Sequence, residues 1–223
     1  MTEAYCGENE EEVAKLFGEA TTILVGASTP HLTITFFDVL REFFSGSNSW
    51  MEWITFVVIP NTQDYPITPI SGRILRLLNV IDQNRVPQQA VMPKIGTISF
   101  LYPYTTTQPM CACVAKTVIK AFKDGQPAAT HFPDWVLPTY GVGILEGILG
   151  RMMLQPEATY SNVQLGMFYS QRFRNTIALA RADASRARTV GSQAWAFPQS
   201  FRTHGQKGGV STFNINPSPQ TSR

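Results

Sequence analysis

The sequence predicts an α+β fold, with helices toward both ends of the chain, a β unit in the middle and an irregular segment after Gly191. Three observations predict it. Apolar residues recur at helical spacing from Glu10 to Ala20 and again from Phe36 to Phe44. From Trp50 the residues become β-branched and aromatic, punctuated by turn signals. After Asp124-Gly125-Gln126-Pro127 the helical period returns and holds to Val190.

The first helix is expected from Glu10 to Ala20, where Val13, Leu16, Phe17 and Ala20 share a face behind an acidic first turn that suits the helix dipole. Gly26-Ala27-Ser28-Thr29-Pro30 breaks the chain. Thr33 is then placed to cap a second helix, whose Phe36, Phe37, Leu40, Phe43 and Phe44 form a wide apolar face ending at Ser45-Gly46-Ser47-Asn48.

Trp53 to Ile59 is apolar on both parities and stopped by Pro60-Asn61, which predicts a strand covered on both faces. Extended structure resumes at Tyr65-Pro66-Ile67. Arg73 to Ile81 and Val86 to Val91 flank Asp82-Gln83-Asn84-Arg85, the pattern of a hairpin with a polar tip. Thr97 to Tyr102 and Met110 to Ile119 are further strands, so the β unit holds roughly five or six, enough for one sheet or a small sandwich.

Near Pro133 and Asp134 a third helix begins, with Tyr140, Ile144, Ile148 and Met152 as its apolar stripe. Gly143, Gly147 and Gly150 would each weaken that helix by about 1 kcal/mol relative to Ala, so they imply close approach by a neighbouring helix. Pro156 interrupts, and a last helix runs from about Ser161 to Val190. Val163, Met167, Ser170, Phe173, Ile177, Ala180, Ala184 and Ala187 form its packing seam. Arg174, Arg181 and Arg188 fall seven residues apart on a second stripe, nearly eclipsed after two turns. Beyond Gly191, Trp195, Phe197, Phe201, Phe213 and Ile215 are spaced like anchors through a Gly-, Pro- and polar-rich segment that buries too little by itself to offset its ordering entropy. Val210 to Ile215 could add as a strand to another subunit.

Composition narrows the functional classes. The 223 residues are 43% hydrophobic, enough for a full core, and the formal charge of +2 is far from the basic excess of a chain that lives by gripping phosphates. The charge is unevenly spread: Glu3, Glu8, Glu10, Glu11 and Glu12 crowd the start, and arginines crowd the last third. Three cysteines cannot all pair, and Cys111 and Cys113 fall on one face of one strand, so free thiols and a reducing compartment of synthesis are expected. The N-terminal residues lack the cationic start and apolar run of a secretory signal. Val136 to Leu154 is the most membrane-like stretch, but it carries Pro138, Glu146 and Arg151. A charge at a bilayer centre costs roughly 2.5 to 3.5 kcal/mol, so this is expected to be a buried bundle helix.

Taken together these pieces resemble the tailed-phage adaptor proteins, the head-to-tail connector or head-completion family that sits between portal and tail. The likeness covers about Thr33 to Arg188 and rests on order and spacing. An early helix ends near a Trp (Phe43 to Trp53), and an apolar strand leads to Gln63-Asp64-Tyr65-Pro66. A Leu-Pro-x-x-Tyr helix with a Leu-x-x-Gly core spans Leu137 to Leu154. The break Gln155-Pro156-Glu157-Ala158-Thr159-Tyr160 then leads into the Ala- and Arg-rich Phe168 to Arg188. The resemblance implies a helical bundle built by N- and C-terminal segments, with an inserted β domain and an extended C-terminal arm. It divides the chain into 1–48, 49–128, 129–190 and 191–223. It further implies a homo-oligomeric ring, commonly of twelve copies, in the virion neck. The implied partners are the portal protein and a tail or nozzle protein, with double-stranded DNA passing through without sequence-specific binding. The Gly-Pro link between the first two helices and the long arm depart from the family pattern.

A near-neutral chain suits such a conduit, because every phosphate neutralised would brake a sliding duplex. Arg174, Arg181 and Arg188 are then expected to face acidic groups of a neighbour or the portal, and Trp195, Phe197, Phe201, Phe213 and Ile215 to dock. Trp50, Trp53 and Trp135 are expected in the core. No membrane partner, cofactor or metal is implied, since Cys111-Ala112-Cys113 lacks a second ligand pair and His31, His131 and His204 are scattered. No phosphate-binding Gly-rich loop, nucleophile elbow or zinc-protease helix is found, and a non-enzymatic chain is expected. Two other readings stay open: a different ring-forming neck or tail component such as a tail terminator, and a small hydrolase using His131 with Asp134.

Overall fold

The computed structural model describes residues 10–118, 122–123, 126–127 and 132–188. Within them the fold is α+β, with one helical core and one β core.

Helix α1 spans Glu10–Ile23 and buries Val13, Leu16 and Ala20, running one turn past its expected end. Helix α2 spans Thr29–Ser47. It begins earlier than a Thr33 cap would place it, because Pro30 needs no amide partner in a first turn and Ser28 occupies the N-cap. Thr33 lies inside the helix, and its hydroxyl donates to the Thr29 carbonyl at 3.0 Å. The helix stops where Asn48 turns left-handed (φ 52°) and its N–H returns to the Phe44 carbonyl at 3.0 Å.

The β region forms two three-stranded antiparallel sheets. One has the order β1 (Met51–Val58), β6 (Gln108–Thr117), β3 (Arg73–Asp82). The other has the order β2 (Asp64–Pro66), β5 (Thr97–Phe100), β4 (Ala90–Lys94). A further antiparallel pair joins β7 (Phe122–Lys123) to β8 (Gln126–Pro127). Val58, Tyr65, Ile74, Ile98, Phe100 and Met110 come from both three-stranded sheets and share one core, the inside of a small sandwich.

Three expectations are corrected here. The polar tip at residues 82–86 does turn back, with Asp82 Oδ1 accepting from the amides of Asn84 and Val86 at 2.8 and 2.9 Å. The chain after it pairs with β3 only through an isolated bridge from Ile81 to Pro87, and β4 then joins the other sheet. Nor is β1 covered on both faces: Ile54, Phe56 and Val58 face the core, whereas Trp53 is 56% exposed and Val57 is open to solvent. Trp50 is buried as expected, but Trp53 and Trp135 are not.

Helix α3 spans Val136–Met153, and helix α4 spans Val163–Arg188 after the break at Pro156. Ile144, Ile148 and Met152 are fully buried. The expected close approach is present. A Cβ added at Gly150 would lie 2.9 Å from the Ser170 amide nitrogen, and one at Gly147 would press on Val39 and Phe173. Helices from both ends of the described chain thus share one core, in which Phe36 meets Phe17 and Phe132 edge-on at 5.6 and 5.9 Å.

Strand β6 connects the two cores. Met110, Ala112 and Val114 lie in the sandwich, and Val118, just past its end, lies in the bundle. At the junction the Lys116 ammonium is buried against Glu52 at 2.6 Å and sits 4.5 Å from the centre of the Trp50 ring.

Candidate interaction surface on the last helix

Helix α4 is positioned at its start by Asn162, whose side-chain oxygen accepts the Leu165 amide at 3.1 Å. One stripe packs inward: Gly166, Phe173, Ala180 and Ala184 are buried, with Ser170 and Ile177 half-buried beside them. The seam differs from its expected course at one end, since Val163 and Met167 are exposed and Gly166 takes the packing position against Leu154.

The remainder of the helix faces outward as two stripes. The first carries Met167, Arg174 and Arg181, seven residues apart and all exposed. Among the described residues, neither Arg174 nor Arg181 makes an ion pair or hydrogen bond through its guanidinium. The side chain of Arg188, the next member, lies outside the described residues, as do Trp195, Phe197, Phe201, Phe213 and Ile215. The second stripe carries Leu165, Phe168 and Leu179, the last 65% exposed.

The two other arginines of α4 whose side chains are described, Arg172 and Arg186, pair within the chain. Arg172 pairs at 2.7 Å with Glu146, a carboxylate buried on α3, and its guanidinium carbon lies 5.6 Å from the Phe168 ring centre. Arg186 pairs with Asp183 at 3.4 Å. Asp183 also accepts from the Tyr140 hydroxyl at 3.1 Å; burial, then this bond to a carboxylate, raises the phenol above its ordinary pKa. The contrast separates Arg172, tied to a buried carboxylate, and the exposed local pair of Arg186 from two arginines without an ion partner among the described residues.

Leu165, Phe168, Arg172 and Leu179 fall at spacings of three, four and seven residues, but Arg172 interrupts the apolar run, so periodicity assigned the apolar character to one seam only. Sequence reasoning also missed a second charged site. A cleft of about 750 Å³ between α2, α3 and the β3–β6 end of the sheet is lined by Asp38, Arg41, Glu42, Arg73, Thr117 and Arg151. Arg41 pairs with Asp38, and Arg151 bridges Glu42 at 2.5 Å and Asp38 at 3.7 Å. Burial, then the like charge of Arg151, lowers the Arg41 pKa. This network joins α2 to α3, and its only signal in sequence was the charges themselves.

Among the described residues no three His, Cys, Asp or Glu side chains gather as metal ligands. His31 instead shares a hydrogen bond with Gln155 at 2.7 Å. Asp134 is described and His131 is not, so the hydrolase pair lies partly outside the described residues. No described helix is long and apolar enough to cross a membrane.

The fold and this surface define an α+β protein whose longest described helix, 26 residues, turns a single stripe to its own core and two stripes to the outside. No protein-family model and no curated protein matches the sequence.

Proposed function

We propose that this chain is a structural virion protein: a ring-forming head-to-tail adaptor that docks on the portal, links it to the tail or nozzle, and continues the DNA channel for genome retention and ejection. The observation that carries the reading is the outer surface of α4. Two arginines without an ion partner among the described residues, together with an apolar stripe on the exposed side of one helix, suit a subunit that packs against others. The adaptor-like order of sequence pieces supports it, as does a bundle whose core draws on helices before and after the β sandwich. The formal charge of +2 fits a channel through which duplex DNA slides.

The test is to mix the purified chain with its phage's portal ring, with and without residues 191–223, and to measure the mass and symmetry of the particle. The expected result is a closed ring of about twelve copies on the portal, lost when the arm is removed. Binding to a tail tube in place of the portal would establish a tail terminator. A lone monomer that binds no virion component and loses a hydrolytic activity on His131→Ala would overturn the structural reading.

A further inference from the structure

Among the described residues two cations on α4 lack an ion partner, and α1 carries anions at the same spacing. Glu12 and Glu19 are seven residues apart and so share one stripe of their helix, as Arg174 and Arg181 do on theirs. At 1.5 Å per residue both pairs span about 10 Å. One Glu12 carboxylate oxygen is shielded from solvent with no hydrogen-bond partner. That oxygen is covered by its own chain, so only the remainder of the half-buried Glu12 side chain is open to a partner. Glu19 is exposed, and among the described residues its carboxylate makes no ion pair. Lys15 lies between them near the same stripe and offsets part of their charge, yet α1 as a whole sets four glutamates against one lysine. Helix α4 sets five arginines against one aspartate.

The placement of the two helices decides how these charges can meet. Helix α4 lies on the glycine face of α3 through Thr176, Phe173 and Ser170. Helix α1 turns Val13, Leu16 and Ala20 inward and meets α2 through Phe17 and Phe36. Within one chain no ion pair joins α1 to α4 among the described residues. Each helix also carries an exposed apolar residue in line with its charges, Ile23 on α1 and Met167 on α4. Two different and complementary surfaces on one chain form a head-to-tail contact, which generates a ring when the rotation closes.

We propose that Glu12 and Glu19 on α1 of one copy pair with Arg174 and Arg181 on α4 of the next. The inference rests on the ring reading above and names the faces that join its subunits. The occupant of the α4 surface is thus a second copy of this chain, selected by charge and spacing.

Charge exchange in the full chain tests it, read as the self-association constant by sedimentation at low ionic strength, where exposed ion pairs act most strongly. The variants are R174E/R181E, E12R/E19R and all four changes together, with far-UV circular dichroism to verify folding. E12Q/E19Q serves if the arginines disturb the first turn of α1. Each reversal alone is expected to weaken association by about tenfold or more, and the fourfold variant to restore it to near the parent value. Indifference to the α1 changes, or a fourfold variant that stays dissociated, overturns the inference while the ring reading stands. A parent chain that does not associate at any soluble concentration likewise overturns the inference, whereas the ring reading is decided by the mixing experiment with the portal.

Discussion

Lys116 shows how much a single side chain carries in this fold. The residue is 3% exposed, its ammonium is bound to Glu52 at 2.6 Å, within 3.3 Å of the Ser71 hydroxyl and over the Trp50 ring, and its backbone N–H donates to the Trp50 carbonyl at 2.8 Å. Removing one member of a buried pair strands the other charge. Lys116→Met is therefore expected to cost about 3–5 kcal/mol in urea denaturation, and Lys116→Met with Glu52→Leu to cost much less. The sequence showed a lysine in an otherwise apolar strand but could not show its partner, since Glu52 lies 64 residues away and only the β1–β6 register, Glu52 opposite Val114, brings them together. The same limit explains Trp53. Residue type favours burial, but the pleat turns position 53 outward while 54, 56 and 58 face the core.

Helix packing was legible where glycine marked it and illegible where glycine replaced an apolar residue. Gly143, Gly147 and Gly150 announced a close neighbour because three glycines in one helix need a reason. Gly166 lies at the same contact, 3.3 Å from the Gly150 carbonyl as measured from an added Cβ, yet it has no apolar signature. A reading by hydrophobic period therefore passed over it to Val163 and Met167. The two kinds of glycine in α3 are separable by experiment. Gly150→Ala would drive a methyl into the Ser170 backbone and is expected to destabilise by about 1–3 kcal/mol. Gly141→Ala meets nothing within 4 Å and is expected to stabilise by up to about 1 kcal/mol, both read from thermal or denaturant unfolding.

Residues 10–188 belong to one compact unit although they contain two cores, because β6 runs through the sandwich and delivers Val118 to the bundle. Unfolding followed by tryptophan fluorescence and by far-UV circular dichroism is accordingly expected to give coincident transitions, and Lys116→Met to pull them apart. The α+β class was legible at this scale because the period changes twice along the chain. The split into two sheets was not, since β4 follows β3 in sequence and leaves it for β5 only by three-dimensional pairing. One feature of α4 reaches beyond folding. Its inner stripe is confined by the glycine face of α3, so larger residues there meet clashes, whereas Arg174, Arg181 and Leu179 are exposed. The outside of this helix can therefore be rewritten without reopening the inside, so that what the chain associates with is separable from how it folds.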